Sequence, residues 1–131
     1  MNRGLVWLCA ALGFTGVAFG ALGAHALKRA AEGWPDAAER LGWWELGARY
    51  HLVHALAVGL VAALAAQGGT RRHTAAAALF TAGVLLFSGS LYAMALTGVR
   101  GLGAVTPFGG LAFLGGWVAL GLCARAESRP H

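Results

Sequence analysis

The chain has 131 residues, of which 58% are apolar and only 11% carry a charge. A soluble globular domain carries about 25% charged residues, so this composition is that of an integral membrane protein. The net charge is +5, but the Lys and Arg residues are scattered singly or in pairs. They form no basic stripe of the kind that contacts phosphate backbones, so we predict no nucleic-acid partner.

Four stretches without a charged residue make up most of the chain. They cover residues 4–27, 50–70, 73–99 and 101–124. About 20 apolar residues in a helix cross the hydrocarbon core of a membrane, so each stretch can span it once. We therefore predict an all-α fold, a four-helix transmembrane bundle that forms one domain over residues 1–131. The predicted spans are residues 5–26, 48–66, 74–97 and 107–124.

The segment between the first two spans, residues 28–49, carries most of the acidic residues. Its apolar residues recur at helical spacing, and its tryptophans favour the headgroup region of a membrane. We predict a short amphipathic surface helix over residues 28–46 that runs into span two, with an ordered polar loop as the alternative. In this interpretation Trp34, Leu41 and Trp44 face lipid or the helix ends.

The orientation in the membrane is predicted from charge. Lys and Arg divide evenly between the two sides, so the positive-inside rule does not decide. Residues 28–49 neutralise most of their own positive charge, whereas Arg3, Arg71 and Arg72 have no neighbouring acids. On this basis we predict that both termini lie in the cytoplasm.

Glycines recur on two of the predicted spans. In span one they are spaced by three, four and three residues, which predicts that they share one helix face. Such a face lets another helix approach closely, and a backbone-lined ligand or pore surface is the alternative. The predicted packing glycines are Gly13, Gly16, Gly20, Gly23, Gly109 and Gly116.

Most polar side chains of the predicted bundle collect in one half of the bilayer, next to residues 28–49. The rise of 1.5 Å per residue places them at similar depths on different spans. The predicted polar cluster consists of His25, Tyr50, His54, Ser88, Ser90, Tyr92 and Thr106. We expect His25 and His54 to approach each other and to share a hydrogen-bond network with one of the two tyrosines.

Two explanations of the polar cluster stay open. Polar side chains near helix ends commonly form hydrogen bonds between helices. Neutral imidazoles also bind transition metals or haem iron, and the candidate ligands are His25, His51 and His54. We predict no cofactor and no metal site, and keep a transition metal or haem as the alternative.

The sequence shows no catalytic constellation, so we expect no enzyme. It has no paired carboxylates and no glycine-rich phosphate loop. Ser88 and Ser90 lie inside an apolar stretch, and no acid is placed to orient a histidine beside them.

Four motifs resemble those of a known family. They are FGALGAH at 19–25, YHLVHALA at 50–57, LFSGSLY at 86–92 and VTPFGG at 105–110. In order and spacing they are similar to the small bacterial inner-membrane proteins of the YgdD and YwdK type, which have a eukaryotic transmembrane relative. The resemblance implies a multi-pass, four-helix protein of the inner membrane from a domain family of unknown function.

The functional prediction is a small structural or accessory protein in the lipid bilayer. Its contacts would be lateral, with other membrane proteins or with copies of itself. The alternative is a small transporter or channel-like carrier of protons, metal ions or a small solute through the region of His25 and His54. A carrier requires a hydrated cavity that continues past Ser88 to the other face.

Overall fold

The computed structural model describes residues 2–127, and this part of the chain contains four long helices and no strand. They are α1 (Arg3–Ala30), α2 (Ala37–Ala65), α3 (Arg71–Thr97) and α4 (Thr106–Glu127). Each predicted span falls within one of these helices to within one residue. All four are long and apolar enough to cross a membrane, which confirms the all-α transmembrane fold.

Local capping chemistry sets several helix boundaries. The side chain of Asn2 accepts a hydrogen bond from the backbone N–H of Leu5 at 3.3 Å and so caps the start of α1. Thr70 and His73 form a reciprocal capping box at the start of α3. Helix α3 ends at Gly98, whose φ of +72° is a left-handed conformation that glycine adopts without strain. A 3₁₀ turn over Arg100–Ala104 then leads to α4.

Helices α2 and α3 form the centre of the bundle, while α1 packs on α2 and α4 packs on α3. Val58, Val61 and Phe80 are fully buried in the main core, among several alanines that let the helices approach closely. In the most apolar stretch of each helix, 50% of the stretch is buried inside the chain for α3 but only 11% for α1. Helix α1 therefore leaves most of its surface to lipid or to a partner.

Two of the helices contain a π-helical turn that the sequence analysis did not predict. The turns are Gly23–Leu27 in α1 and Val84–Ser88 in α3. A π turn has i→i+5 hydrogen bonds, so the residues after it are rotated relative to a regular α-helix. Both turns lie against the first half of α2, where Gly23 packs on Trp44 and Ser88 binds Gly47.

The segment predicted as a surface helix is the beginning of α2. Residues 31–36 form turns, and from Ala37 the helix continues without a break to Ala65, so the segment does run into span two. Trp44, predicted to face lipid or the helix ends, does not face lipid, because its side chain is only 4% exposed. Its indole N–H donates a hydrogen bond to the carbonyl of Phe19 at 2.7 Å and so joins α2 to α1.

The other two residues of this prediction, Trp34 and Leu41, are partly buried. They pack on the cluster around Trp44 and Tyr92. The apolar stripe of residues 34–44 therefore covers the ends of α1 and α3, which agrees with the second part of the prediction. Helical spacing identified the apolar face correctly but did not show that other helices cover it.

Only two of the four glycines of α1 that were predicted to pack lie in a helix contact. A Cβ atom added at Gly16 or Gly23 would lie 2.8 or 2.3 Å from side chains of α2. At Gly13 and Gly20 it would meet no atom within 4 Å, so these two take no part in packing within the chain, contrary to the prediction. The four glycines form two adjacent rows with a spacing of seven, and α2 covers one row only.

Helices α3 and α4 interlock through glycines. Gly109 lies so close to α3 that an added Cβ would be 2.2 Å from the backbone nitrogen of Phe87. The ring of Phe80 packs on Gly116 of α4, where an added Cβ atom would lie 2.6 Å from it. Gly83 of α3, which the sequence analysis did not single out, receives a phenylalanine ring of α4 in the same way.

Candidate functional site

The structure separates the predicted polar cluster into three groups. The first, which we call the His51 chain, joins Thr15, His51 and Tyr92. The second, the His54 pair, joins His54 to Trp117. The third consists of hydroxyl contacts between helices. His25 belongs to none of them.

The His51 chain crosses the bundle from α1 through α2 to α3. Nε2 of His51 lies 3.1 Å from the hydroxyl of Thr15, and Nδ1 lies 2.9 Å from the hydroxyl of Tyr92. His51 and Tyr92 are both buried. The chain therefore connects three helices through polar atoms, of which those on α2 and α3 belong to buried residues. Thr15 and His51 were not in the predicted cluster, which was chosen by depth along the helices, and His51 was predicted only as a candidate metal ligand.

One arrangement of hydrogen atoms satisfies every group of the His51 chain. The hydroxyl of Thr15 also lies 2.8 Å from the carbonyl of Ala11, and a carbonyl can only accept. Thr15 therefore uses its hydrogen there and accepts from the Nε2–H of His51. Nδ1 of His51 then accepts from the O–H of Tyr92, and the imidazole is neutral.

The His54 pair joins α2 to α4. Nδ1 of His54 donates to the backbone carbonyl of Tyr50 at 2.8 Å, and Nε2 accepts from the indole N–H of Trp117 at 3.1 Å. The ring stacks on Phe113, with the ring centroids 3.6 Å apart. Both nitrogens of the neutral ring are thus occupied, and no lone pair is left for a metal ion.

His25 and His54 do not come together as expected. His25 is exposed in the π turn of α1, and its side chain has no polar or ring partner in the described part of the chain. His54 is buried, and its partners lie on α2 and α4. A π turn rotates residues 23–27 relative to a regular α-helix. The depth of His25 along α1 therefore did not predict the helix face on which its side chain lies. Of the two tyrosines, Tyr50 lies beside His54 and Tyr92 binds a different histidine.

The hydroxyl contacts join the remaining members of the predicted cluster. Ser88 is completely buried and donates to the carbonyl of Gly47 at 2.7 Å, which ties α3 to α2. Ser90 and Thr106 lie 2.6 Å apart and tie α3 to the start of α4. Such bonds stabilise helix packing in an apolar environment.

The candidate metal ligands do not converge. Among the described residues there is no group of three His, Cys, Asp or Glu side chains that could hold a metal ion. His51 and His54 use their ring nitrogens in separate contacts, and His25 lies apart from both. The two cysteines, Cys9 and Cys123, are free thiols.

Arg40 is a structural residue that the sequence analysis missed. Its guanidinium donates to the carbonyls of Ala95 and Leu96, each at 2.8 Å, at the end of α3. It also lies 3.8 Å above the ring of Trp34 and 3.7 Å from a carboxylate oxygen of Asp36. The last carbonyls of a helix attract a cation, but the sequence does not show which cation reaches them.

These contacts define a class: a small multi-pass membrane protein whose four helices are joined by buried hydrogen bonds and close glycine contacts. The model of a family described as "Protein of unknown function (DUF423)" matches residues 19–110. The chain belongs to this family, which confirms the resemblance found in its motifs.

Relatives cover nearly the whole chain. The UPF0382 membrane protein YwdK of Bacillus subtilis is 42% identical over 82% of this chain and 85% of its own length. The UPF0382 inner membrane protein YgdD of Escherichia coli is 38% identical over 91% of this chain and 87% of its own length. A UPF0382 membrane protein of Haemophilus influenzae is 38% identical over 92% of both chains. No solved structure matches the chain.

The comparisons establish location and leave the molecular function unknown. The relatives are membrane or inner membrane proteins by name, and the chain has four helices able to span a membrane. It is therefore a multi-pass protein of the inner membrane, in contact with the lipid bilayer.

Proposed function

We propose that this chain is a non-enzymatic accessory protein that acts through lateral contacts made by the outer face of α1. We define this face by Trp7, Phe14 and Val17, which are exposed, and by Gly13 and Gly20, which are partly exposed. The observation that carries the proposal is the uneven burial of the helices, since only 11% of the most apolar stretch of α1 is covered by the rest of the chain.

The shape of the outer face of α1 supports a protein contact. Gly13 and Gly20 are seven residues apart, and both have open space where a side chain would be. Small residues at this spacing let the backbone of another helix approach closely. The large exposed side chains of Trp7 and Phe14 lie on the same helix and can pack around an approaching helix.

The proposal that the chain is not an enzyme is supported by how its polar groups are used. The hydroxyl of Ser88 donates to a carbonyl, and that of Ser90 is bound to Thr106. His51 and His54 hold their hydrogen atoms in structural contacts. Nucleophilic catalysis needs a nucleophile beside a free base, and these residues do not supply that pair.

The carrier hypothesis has less support. A path for a solute would have to continue past Ser88, which is completely buried and bound to the backbone of α2. Val58, Val61 and Phe80 fill the neighbouring core with apolar side chains. Protonation of His54 would remove the lone pair that accepts from Trp117, and protonation of His51 would reverse its hydrogen bond with Tyr92, so the present contacts hold both rings neutral.

Site-specific photocrosslinking in native membranes tests the lateral contact. A benzophenone amino acid is placed at Phe14 on α1, which is 77% exposed, and in a matched control at Leu114 on α4, which is 64% exposed. We expect position 14 to form an adduct with one defined protein, identified by mass spectrometry, and position 114 to form adducts with lipid.

A second pair of variants checks that the adduct depends on close helix approach. The double variant Gly13→Leu, Gly20→Leu fills the open row of α1, and Gly121→Leu fills an equally open position on α4. The first should abolish the protein adduct at position 14, and the second should leave it unchanged. Lipid adducts alone at both positions would show that the outer face of α1 is simply lipid-facing.

A further inference from the structure

One buried polar side-chain atom in the described part of the chain has no hydrogen-bond partner. It is Nε2 of His73, in the first turn of α3, and His73 is only 1% exposed. Nδ1 of the same ring lies 3.1 Å from the backbone nitrogen of Thr70, whose N–H can only donate. Nδ1 is therefore the acceptor, and in the neutral ring the hydrogen is on Nε2. Buried N–H donors without an acceptor are rare in native structures.

His73 forms part of the wall of a cleft of about 210 Å³, which we call the amino-terminal cleft. The cleft lies where α1 and α3 begin and α2 ends, and Asn2, Thr70 and Arg71 are also in its wall. It is therefore at the end of the membrane-spanning helices, at the level where lipid headgroups and water meet the protein.

The amino-terminal cleft has one charged side chain in its wall, the cation of Arg71. Helices α1 and α3 begin at the cleft, and the amino end of a helix carries a partial positive charge with free N–H groups, while the carboxyl end of α2 brings a partial negative charge. The backbone N–H groups of Arg71 and Arg72 have no partner within the described residues. The guanidinium of Arg71 has no carboxylate within ion-pair distance there either. The acidic residues of the 28–49 segment lie at the opposite end of α1.

We propose that the amino-terminal cleft binds the phosphate group of an anionic ligand, with the Nε2–H of His73 and the guanidinium of Arg71 as donors. The unpartnered N–H groups of Arg71 and His73 and the guanidinium of Arg71 are donors, and a phosphate supplies acceptor oxygens and negative charge to match them. The phosphate can belong to an anionic phospholipid headgroup or to free inorganic phosphate. This site does not depend on the lateral contact proposed for α1.

Nuclear magnetic resonance of the full chain, labelled with ¹⁵N-histidine and held in a phosphate-free maltoside detergent, tests the site. Inorganic phosphate, phosphatidylglycerol and phosphatidylcholine are added in separate titrations. We expect a saturable shift of the His73 Nε2–H signal with phosphatidylglycerol. A matching shift with inorganic phosphate identifies the phosphate itself as sufficient, and its absence identifies the lipid headgroup. No shift with either, or an equal shift with phosphatidylcholine, would overturn the proposal.

Two neighbouring arginines provide a matched pair of variants. Arg71→Gln removes the charge at the cleft, while Arg72→Gln removes an equal charge whose guanidinium instead donates to the carbonyl of Leu122 on α4. The first should weaken phosphatidylglycerol binding about tenfold, the loss expected for one charge-assisted hydrogen bond. The second should change it about twofold or less. Equal losses in the two variants would show general attraction to a basic surface and no site.

A third variant removes the histidine donor. His73→Asn keeps an acceptor close to the position of Nδ1 for the backbone N–H of Thr70 but has no group at Nε2. It should lower the number of phosphatidylglycerol molecules retained per chain in native mass spectrometry, while phosphatidylcholine retention stays the same. Retention equal to that of the parent chain would exclude His73 as a ligand.

Discussion

The indole N–H of Trp117 on α4 donates a hydrogen bond to Nε2 of His54 on α2 at 3.1 Å. An indole N–H can only donate, so this contact places a lone pair on Nε2 and the hydrogen of the ring on Nδ1. The bond is the most specific connection between these two helices, since the surrounding contacts are aromatic stacking. It therefore aligns α4 with α2.

We expect Trp117→Phe to destabilise the bundle by about 1 kcal/mol, the range measured for hydrogen bonds between membrane helices. The variant keeps an aromatic ring against Phe80 but leaves Nε2 of His54 without a donor. Unfolding in mixed detergent micelles, followed by circular dichroism, measures the change. The double variant with His54→Phe should lose less than the sum of the two single variants. Strict additivity would show that the hydrogen bond contributes nothing.

His51 and His54 should hold opposite tautomers. The contacts assign the hydrogen to Nε2 in His51 and to Nδ1 in His54. The ¹⁵N chemical shifts of the ring nitrogens separate these forms in a histidine-labelled sample, and single substitutions of His51 and His54 assign the signals. The same tautomer in both rings would contradict the hydrogen-bond assignment.

The architecture was predictable from the sequence because a membrane span depends on the summed hydropathy of about 20 residues and not on any single one. Four uncharged stretches, each about as long as a membrane is thick, fix the number of helices. The meeting of polar residues from different helices was predictable only in part from the rise per residue, since Ser90 and Thr106 do meet but Thr15, left out of the predicted cluster, contacts His51. The helix face on which an individual side chain lies was not predictable. His25 was assigned wrongly because the π turn at residues 23–27 leaves no clear sequence signal, and the sequence did not show that other helices bury Trp44.

The glycine contacts between α3 and α4 give a sharp prediction with an adjacent control. Gly109→Ala places a Cβ atom 2.2 Å from the backbone of Phe87, which cannot move aside as a flexible side chain can. Gly110→Ala meets no atom closer than 4.0 Å. The first should lower thermal stability in detergent by several degrees. The second should leave it unchanged or raise it, because alanine favours a helix over glycine by about 1 kcal/mol. Similar behaviour of the two variants would mean that α4 does not present Gly109 to α3.

Arg40 should control the stability of the carboxyl end of α3. Its guanidinium binds the carbonyls of Ala95 and Leu96, so Arg40→Gln removes two charge-assisted hydrogen bonds from a largely buried group. We expect a loss of about 1–2 kcal/mol and faster amide hydrogen exchange over residues 94–98. The control is Arg49→Gln, which removes an exposed cation from the same helix. Unchanged exchange in Arg40→Gln would show that Gly98 alone ends the helix.

The chain of hydrogen bonds through His51 should behave as a unit. Tyr92→Phe removes the donor to Nδ1, and Thr15→Val removes the acceptor of Nε2–H, so each leaves one imidazole nitrogen unpaired. Each should lower stability by about 1 kcal/mol. Thr81→Val is the matched control, because the hydroxyl of Thr81 binds only the carbonyl of Ala77 in its own helix. In a His51→Leu background, Thr15→Val and Tyr92→Phe should cost little, since the nitrogens they serve are already gone. If they cost as much there as in the parent chain, the stabilisation comes from packing around Thr15 and Tyr92 and not from the hydrogen bonds to His51.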